Sequence, residues 1–205
     1  MKTFQQPLLT IQVPTVEGRE NEFNKLKDEI FRQGEATGSF EDGSLGFISL
    51  KDKKEITIGA KRRQLYESSK GLYSWQIDDD DDIHKHAIEM ILDEIIANPG
   101  IDCITFKELC IFDGTRVQSS NHSLKYKQWQ DNHDGYNHVR TPFFKDVIRT
   151  ELCRTPGLIP DIRYSEDHEF AKNIYPLLKT EKWINEFIYV YQHNASPMNE
   201  RYGIK

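Results

Sequence analysis

The chain's densest chemistry is a run of five aspartates, Asp78 to Asp82, directly after the apolar stretch Leu72 to Ile77. Neighbouring carboxylates repel one another, more strongly where the dielectric falls below that of water, so the run must lie in solvent or meet a cation. Acid runs are commonly solvated loops. This one closes an apolar strand, and open α/β sheets bind ligands at the carboxyl ends of their strands. Oxygen-only ligands suit Mg2+ or Mn2+, which take one or two carboxylates and complete their shell with substrate phosphates. The run therefore reads as a candidate metal–diphosphate site. His84 and His86 follow it, but on a helix residues i and i+2 do not face each other, so a metal shared between them is not expected.

The surrounding pattern supplies the elements that must hold the aspartates. Leu8 to Val13 reads as a strand ended by Pro14. From Glu20 onward, Phe23, Leu26, Ile30 and Phe31 recur at helical spacing. Residues 34–43 read as a loop, with Asp42-Gly43-Ser44 as a turn. Leu45 to Leu50 is a second strand opening onto Lys51-Asp52. Ile56 to Gly59 leads into a short basic helix, Lys61 to Glu67, which Lys70-Gly71 ends. Beyond the aspartates, Ala87, Ile88, Ile91, Leu92, Ile95 and Ile96 line one side of a helix that stops at Asn98-Pro99-Gly100. Ile101 to Phe106 and Leu109 to Phe112 read as two further strands. Strand and helix thus alternate through residue 112, the signature of an α/β domain with a mostly parallel central sheet flanked by helices. Gln118 to His138 is long for a connection and reads as a hairpin or functional loop. Val139 to Ile148 reads as turn then helix, Glu169 to Leu178 as a helix, and Phe187 to Tyr191 as a strand.

With 205 residues, a single domain is expected. Hydrophobic residues make up 37% and charged residues 29%, a polar and soluble-looking balance. The net charge of -6 is mostly the aspartate run itself, so no nucleic-acid partner is expected. Cys103 and Cys110 lie in apolar runs and, with Cys153, form no CxxC pair, which points to buried free thiols in a reducing compartment. The first seven residues hold one lysine and no apolar stretch, and no apolar run approaches the ~20 residues of a membrane span. Neither a signal peptide nor a transmembrane segment is expected, and a cytoplasmic location is.

Several motifs recur in a telling order. Val13-Pro14-Thr15-Val16-Glu17-Gly18-Arg19 closes the first strand, and Asp52 the second. Ile58-Gly59-Ala60-Lys61-Arg62-Arg63-Gln64-Leu65-Tyr66-Glu67-Ser68-Ser69-Lys70-Gly71-Leu72-Tyr73 leads into the strand that ends at the aspartates. Ser165-Glu166-Asp167-His168-Glu169-Phe170 sets an acidic pair before a helix, and Tyr191-Gln192-His193 ends the last strand. Over roughly residues 8–195, this set resembles the family-2 type of GT-A glycosyltransferases, which are nucleotide-diphospho-sugar transferases. Arg63 stands where that family usually has Asn, Ser69 where it has Ala, and the acid run is one aspartate longer.

The resemblance implies a single GT-A domain over 1–205, with a nucleotide-sugar half (8–112) and an acceptor half (113–205). It implies a nucleotide-sugar donor, UDP-linked, bound by Pro14, Thr15, Glu17, Arg19, Asp52, Gly59, Lys61, Arg62, Asp78 and Asp79. Asp52 would meet the base or ribose, and Lys61 and Arg62 the diphosphate. It also implies Mn2+ or Mg2+ held by Asp80, Asp81 and His193, acting as a Lewis acid on the leaving diphosphate. Asp167 would be the general base, taking the proton of an acceptor hydroxyl that attacks the anomeric carbon and inverts it. The acceptor would be a glycan, a lipid-linked group or a protein. Read without the resemblance, Glu166-Asp167 is an acidic first turn at the positive end of a helix dipole. Two other functions stay open. A nucleotidyltransferase is disfavoured because the loop after the first strand offers only Gly18 and Arg19. A nucleotide-sugar-binding module without turnover is the non-enzyme reading.

Overall fold

The computed structural model describes residues 3–193. Three parallel strands build its amino half, in the order β2 (Leu45–Asp52), β1 (Leu9–Val16) and β3 (Tyr73–Gln76). β1 is central and nearly all buried. Its inward polar residue, Gln12, is satisfied by Ser74 and Gln76 of β3 at 2.7 and 2.9 Å, as a buried amide must be. Beside β3, β9 (Val147–Arg149) runs antiparallel and links it to β5 (Cys103–Phe112). β5 carries parallel β10 (Glu181–His193) along one edge and, past β9, antiparallel β6 (Arg116–His122) along the other. β8 (Tyr136–Arg140) and β7 (Gln130–His133) finish that side as a hairpin. A two-residue strand, β4 (Asp82–Ile83), pairs with β10 at Val190 and Tyr189. The two longest ladders, β1–β2 and β5–β10, are parallel.

Helices cover both faces. Leu26 and Ile30 of α1 (Glu20–Thr37) and Ile88, Ile91 and Ile95 of α3 (Ala87–Ala97) close one core over Ile11, Trp75, Ile104 and Val147. On the opposite face lie Tyr66 of α2 (Ile58–Ser68) and Phe170 and Ile174 of α5 (Glu166–Ile174). They pack with Cys103, Ile148, Phe143 and Cys153, the last from the short α4 (Thr150–Cys153). The alternation of Cys103 with Ile104, and of Ile148 with Val147, sends neighbouring side chains to opposite cores. The expected α/β domain, with its mostly parallel central sheet flanked by helices, is the fold observed. Cys103, Cys110 and Cys153 are buried free thiols. Among the described residues, no helix is long and apolar enough to cross a membrane.

Three local expectations are corrected. The loop expected at 34–43 starts late, because α1 continues to Thr37 and closes on Gly38 in the left-handed region (φ 69°). Gly34 lies within the helix, and the ring of Phe40 occupies the space where a Cβ would stand. The two strands expected between Ile101 and Phe112 are one, since Lys107 and Glu108 keep their places in the ladders to β6 and β10. The helix expected within Val139 to Ile148 is instead the end of β8, a turn, and β9. The turn is fixed by Asp146, whose carboxylate accepts from the Phe143 amide (3.0 Å) while its own amide donates to the Phe143 carbonyl (2.9 Å).

Candidate active site

The five aspartates leave the carboxyl end of β3, beside the carboxyl ends of β1 and β2, and turn back on themselves through an Asp81 amide to Asp78 carbonyl bond of 3.1 Å. Their mutual repulsion is relieved by dispersal among several donors and cations. Asp78 accepts from the Arg62 guanidinium at 2.8 Å. Asp79, 2% exposed, accepts from the Thr15 hydroxyl at 2.6 Å and pairs with Arg19 at 3.0 Å. Asp80 pairs with the other end of the same Arg19. Asp81 accepts from the Tyr189 hydroxyl (2.7 Å) and the Gln192 amide (2.8 Å), with the Lys145 ammonium at 3.6 Å. Asp82 meets Lys25 at 2.8 Å and the Gln192 side chain at 3.1 Å. Burial pushes the Asp79 carboxyl up to about 6 although Thr15 and Arg19 pull the other way. Burial also raises Asp81, against the pull of Lys145.

The cation ligands expected from the sequence do not converge. Among the described residues, no group of three or more His, Cys, Asp or Glu side chains is set to hold an ion. Asp81 is turned inward onto Tyr189 and Gln192. The His193 ring packs on Phe112, with its Nδ1 3.1 Å from the Tyr191 hydroxyl. What faces outward is Asp80, its side chain 37% exposed, Asp82, 32% exposed but held by Lys25, and Asp78, 27% exposed. Two hard oxygen ligands are the share Mg2+ or Mn2+ takes from protein when substrate phosphates supply the rest. These residues fit a cation that arrives with a diphosphate, and do not form a cage for one held alone.

Lys61 and Arg62, expected beside the diphosphate, are buried and already engaged. Lys61 donates to the Thr15 carbonyl (2.6 Å) and pairs with Asp52, joining the ends of β1 and β2. The second Asp52 oxygen accepts from the Ile56 amide at 3.1 Å. Arg62 reaches Asp78, Gln76 and Glu166, and its planar group lies 3.4 Å above the ring of Phe144. Gly59, also expected to bind the donor, packs backbone to backbone against residues 160–162. Of the remaining expected residues, Pro14 is buried in β1 opposite Leu50. Glu17 is exposed, its amide donating to the Asp52 carbonyl (2.9 Å). Arg19 stands half-exposed over the acid run.

Asp167 lies in the first turn of α5, preceded by Ser165 in the left-handed region (φ 61°). Its carboxylate is half-buried and accepts from the following amide, that of His168, at 2.8 Å. Glu166 points inward to Arg62, and burial raises its carboxyl despite that guanidinium. The acid run and the acidic pair, 88 residues apart in Asp78 and Glu166, therefore share one cation.

Sequence reading missed the support beneath the run. Lys145 bonds Glu108 at 2.8 Å and lies over the rings of Tyr191 (3.8 Å) and Tyr189 (4.6 Å). Glu108 in turn meets Nε2 of His122 at 3.2 Å, and Asp146 meets its Nδ1 at 3.1 Å. Burial opposes charge on all four. Even so, the two carboxylates lift His122 to about 9, and Lys145 with His122 draws Glu108 down to about 2. Burial still raises the Asp146 carboxyl against His122. The imidazolium between two carboxylates is the form this geometry favours. The available signal was Lys145-Asp146, a charged pair inside the apolar run Phe143 to Ile148. Two clefts of about 550 Å3 lie elsewhere, one lined by α1 and α3 and one beneath the amino ends of β1 and β3; neither is lined by the acid run.

No protein-family model and no curated protein matches the chain. Solved structures do. The crystal structure of S. aureus TarS aligns with a TM-score of 0.63 at 16% identity, over 98% of this chain and 38% of that one. TarS 1-349 in complex with UDP gives 0.63 and 16%, over 98% and 63%. TarS 1-349 in complex with UDP-GlcNAc gives 0.59 and 14%, over 94% and 58%. The class defined here is the mixed α/β fold that TarS shares. The chain spans less than two thirds of the length of these TarS chains.

Proposed function

We propose that this chain is a metal-dependent, inverting glycosyltransferase that moves a sugar from a UDP-linked donor to an acceptor hydroxyl. One observation carries the reading. The buried Arg62 guanidinium brings the acid run and the Glu166-Asp167 pair together at the carboxyl end of the sheet, where an open α/β fold takes its ligand. That TarS, of the same fold, has been solved with UDP and with UDP-GlcNAc supports a UDP-sugar as the donor.

In this reading Asp78 and Asp80 hold Mn2+ or Mg2+ together with the donor's phosphates. An ion bound there would supply Lewis-acid stabilisation of the leaving diphosphate. Arg19, half-exposed at the same mouth, offers charge-assisted hydrogen bonds to phosphate. Asp52 and Lys61 fix the floor on which the nucleoside rests, Lys61 by clamping the ends of β1 and β2. Asp167 accepts the proton of the acceptor hydroxyl as that oxygen attacks from the side opposite the diphosphate. A carboxylate suits this because the hydroxyl becomes acidic only in the transition state.

The test is calorimetric titration with UDP-GlcNAc and UDP-glucose, in Mn2+, in Mg2+ and in EDTA, alongside measurement of released UDP. One UDP-sugar is expected to bind in Mn2+, and UDP to be released. Asp167→Asn should keep binding and slow UDP release by roughly a hundredfold or more. If no UDP-sugar binds with either metal, the reading is wrong.

A further inference from the structure

We propose that Arg62 is a positioning residue: its guanidinium sets the spacing between the acidic loop and the helix that carries Asp167. This rests on the glycosyltransferase reading and goes beyond it, since Arg62 takes no place at the substrate. The side chain is 4% exposed, and each of its three nitrogens donates to an acceptor, two at the end of β3 and one on α5. Nη2 reaches Asp78 at 2.8 Å, Nη1 reaches Gln76 of β3 at 3.3 Å, and Nε reaches Glu166 of α5 at 3.3 Å. Gln76 is itself pinned, its amide donating to the Arg62 carbonyl at 3.0 Å and to Gln12 at 2.9 Å.

The acceptors fix the guanidinium within its plane, and Phe144, 3.4 Å below, fixes it across the plane. A guanidinium presents its N–H groups in a rigid planar fork, whereas an ammonium is a point charge on a flexible stem. Lysine at this position could keep the charge and would lose the fixed angles. The two ends of the fork are mechanically important. Asp78 opens the acid run, and Glu166 is one peptide unit from Asp167. Among the described residues, Arg62 pairs with both carboxylates, and without it the part-buried Asp78 and Glu166 would repel each other and drive loop and helix apart. A reacting geometry shifted by about 1 Å costs on the order of a hundredfold in rate.

The experiment compares wild type, Arg62→Lys and Glu166→Gln. It measures UDP affinity by calorimetry, kcat and KM for release of UDP from the UDP-sugar the wild type accepts, and thermal midpoint. Arg62→Lys should bind UDP within about threefold of wild type, keep the sugar-nucleotide KM, and lose roughly ten- to a hundredfold in kcat. Glu166→Gln keeps the shape and removes one charge; it should lose kcat in the same direction, by less. A lowered midpoint with unchanged kcat per folded molecule would make Arg62 purely structural and overturn the proposal. A loss of UDP affinity as large as the loss of kcat would make it a phosphate ligand and overturn it too. If Arg62→Lys does not fold, Glu166→Gln decides alone: unchanged kcat sinks the proposal. If the wild type releases no UDP from any UDP-sugar, the glycosyltransferase reading falls and takes this one with it. An active wild type with an equally active Arg62→Lys removes only the positioning role.

Discussion

A methyl group on residue 59 would lie 2.0 Å from the carbonyl oxygen of Pro160 and 3.2 Å from that of Ile162. Both are backbone atoms, so nothing flexible can yield, and the Gly59 amide already donates to the Ile162 carbonyl at 3.2 Å. Gly59→Ala should therefore cost about 3 kcal/mol, as overpacking against a rigid wall does. Urea unfolding measures it, and an alanine variant as stable as wild type would show that α2 and residues 160–162 do not touch. The same glycine has a structural place of its own beside the one its motif implies. Read in its motif it belongs to a nucleotide site; in the folded chain it lets the start of a basic helix sit against the segment leading to α5. Lys61 and Arg62 follow the same pattern, their charges turned inward to Asp52, Asp78 and Glu166.

Among the elements, α2 has the best-defined start. Thr57, in extended conformation, caps it by accepting from the Ala60 amide at 3.0 Å, and its hydroxyl also meets Asp161. Thr57→Ala should lower stability by about 1 kcal/mol, the usual value of an N-cap, seen as a lower thermal midpoint. Thr57→Ser should restore most of it. At this scale much was legible. The first three parallel strands and α1, α2 and α3 were visible because each is a local pattern, an apolar run or a helical stripe ended by Gly or Pro. The acid run and the pair before α5 were visible for the same reason. The neighbours of those motifs were not. Arg62 and Glu166 lie 104 residues apart, and Tyr189 and Asp81 108, and no periodicity reports a contact at such separation. The hairpin of β7 and β8 was readable as a long polar insertion, whereas β9 was hidden because so short a run, two apolar residues and an arginine, fits a strand or a helix turn equally well.

Across the whole molecule, the buried ions beneath the site should govern how stability responds to pH. His122 is held near 9, above its ordinary value of 6.5. Below about pH 6.5 the ring is protonated in both folded and unfolded chains, and the pairing with Asp146 and Glu108 contributes fully. Between about 6.5 and 9 the unfolded chain gives up a proton that the folded one keeps, so stability should fall as pH rises, by on the order of 3 kcal/mol. Glu108, held near 2 against its ordinary 4.5, acts in the other direction: its contribution is present above about 4.5 and is lost as the pH falls toward 2. Urea unfolding at pH 6.5 and 9 checks the first limb. His122→Gln should make it shallower, the raised Asp81 carboxyl still adding to the fall, and equal slopes for variant and wild type would rule out a charged imidazole in the core.

β10 adds a consequence in time. Tyr189 and Gln192, which anchor Asp81, lie 108 and 111 residues downstream of it. As the chain leaves the ribosome, β1, β2, β3 and their helices are made first, while the aspartate loop they present still lacks the hydroxyl and amide that turn Asp81 inward. Contacts of such long sequence separation are the slowest to close, because the loop entropy must be lost before they form. The order of synthesis thus leaves the nascent amino half with Asp81 unanchored, and the candidate site is finished only when the last described strand has been laid down.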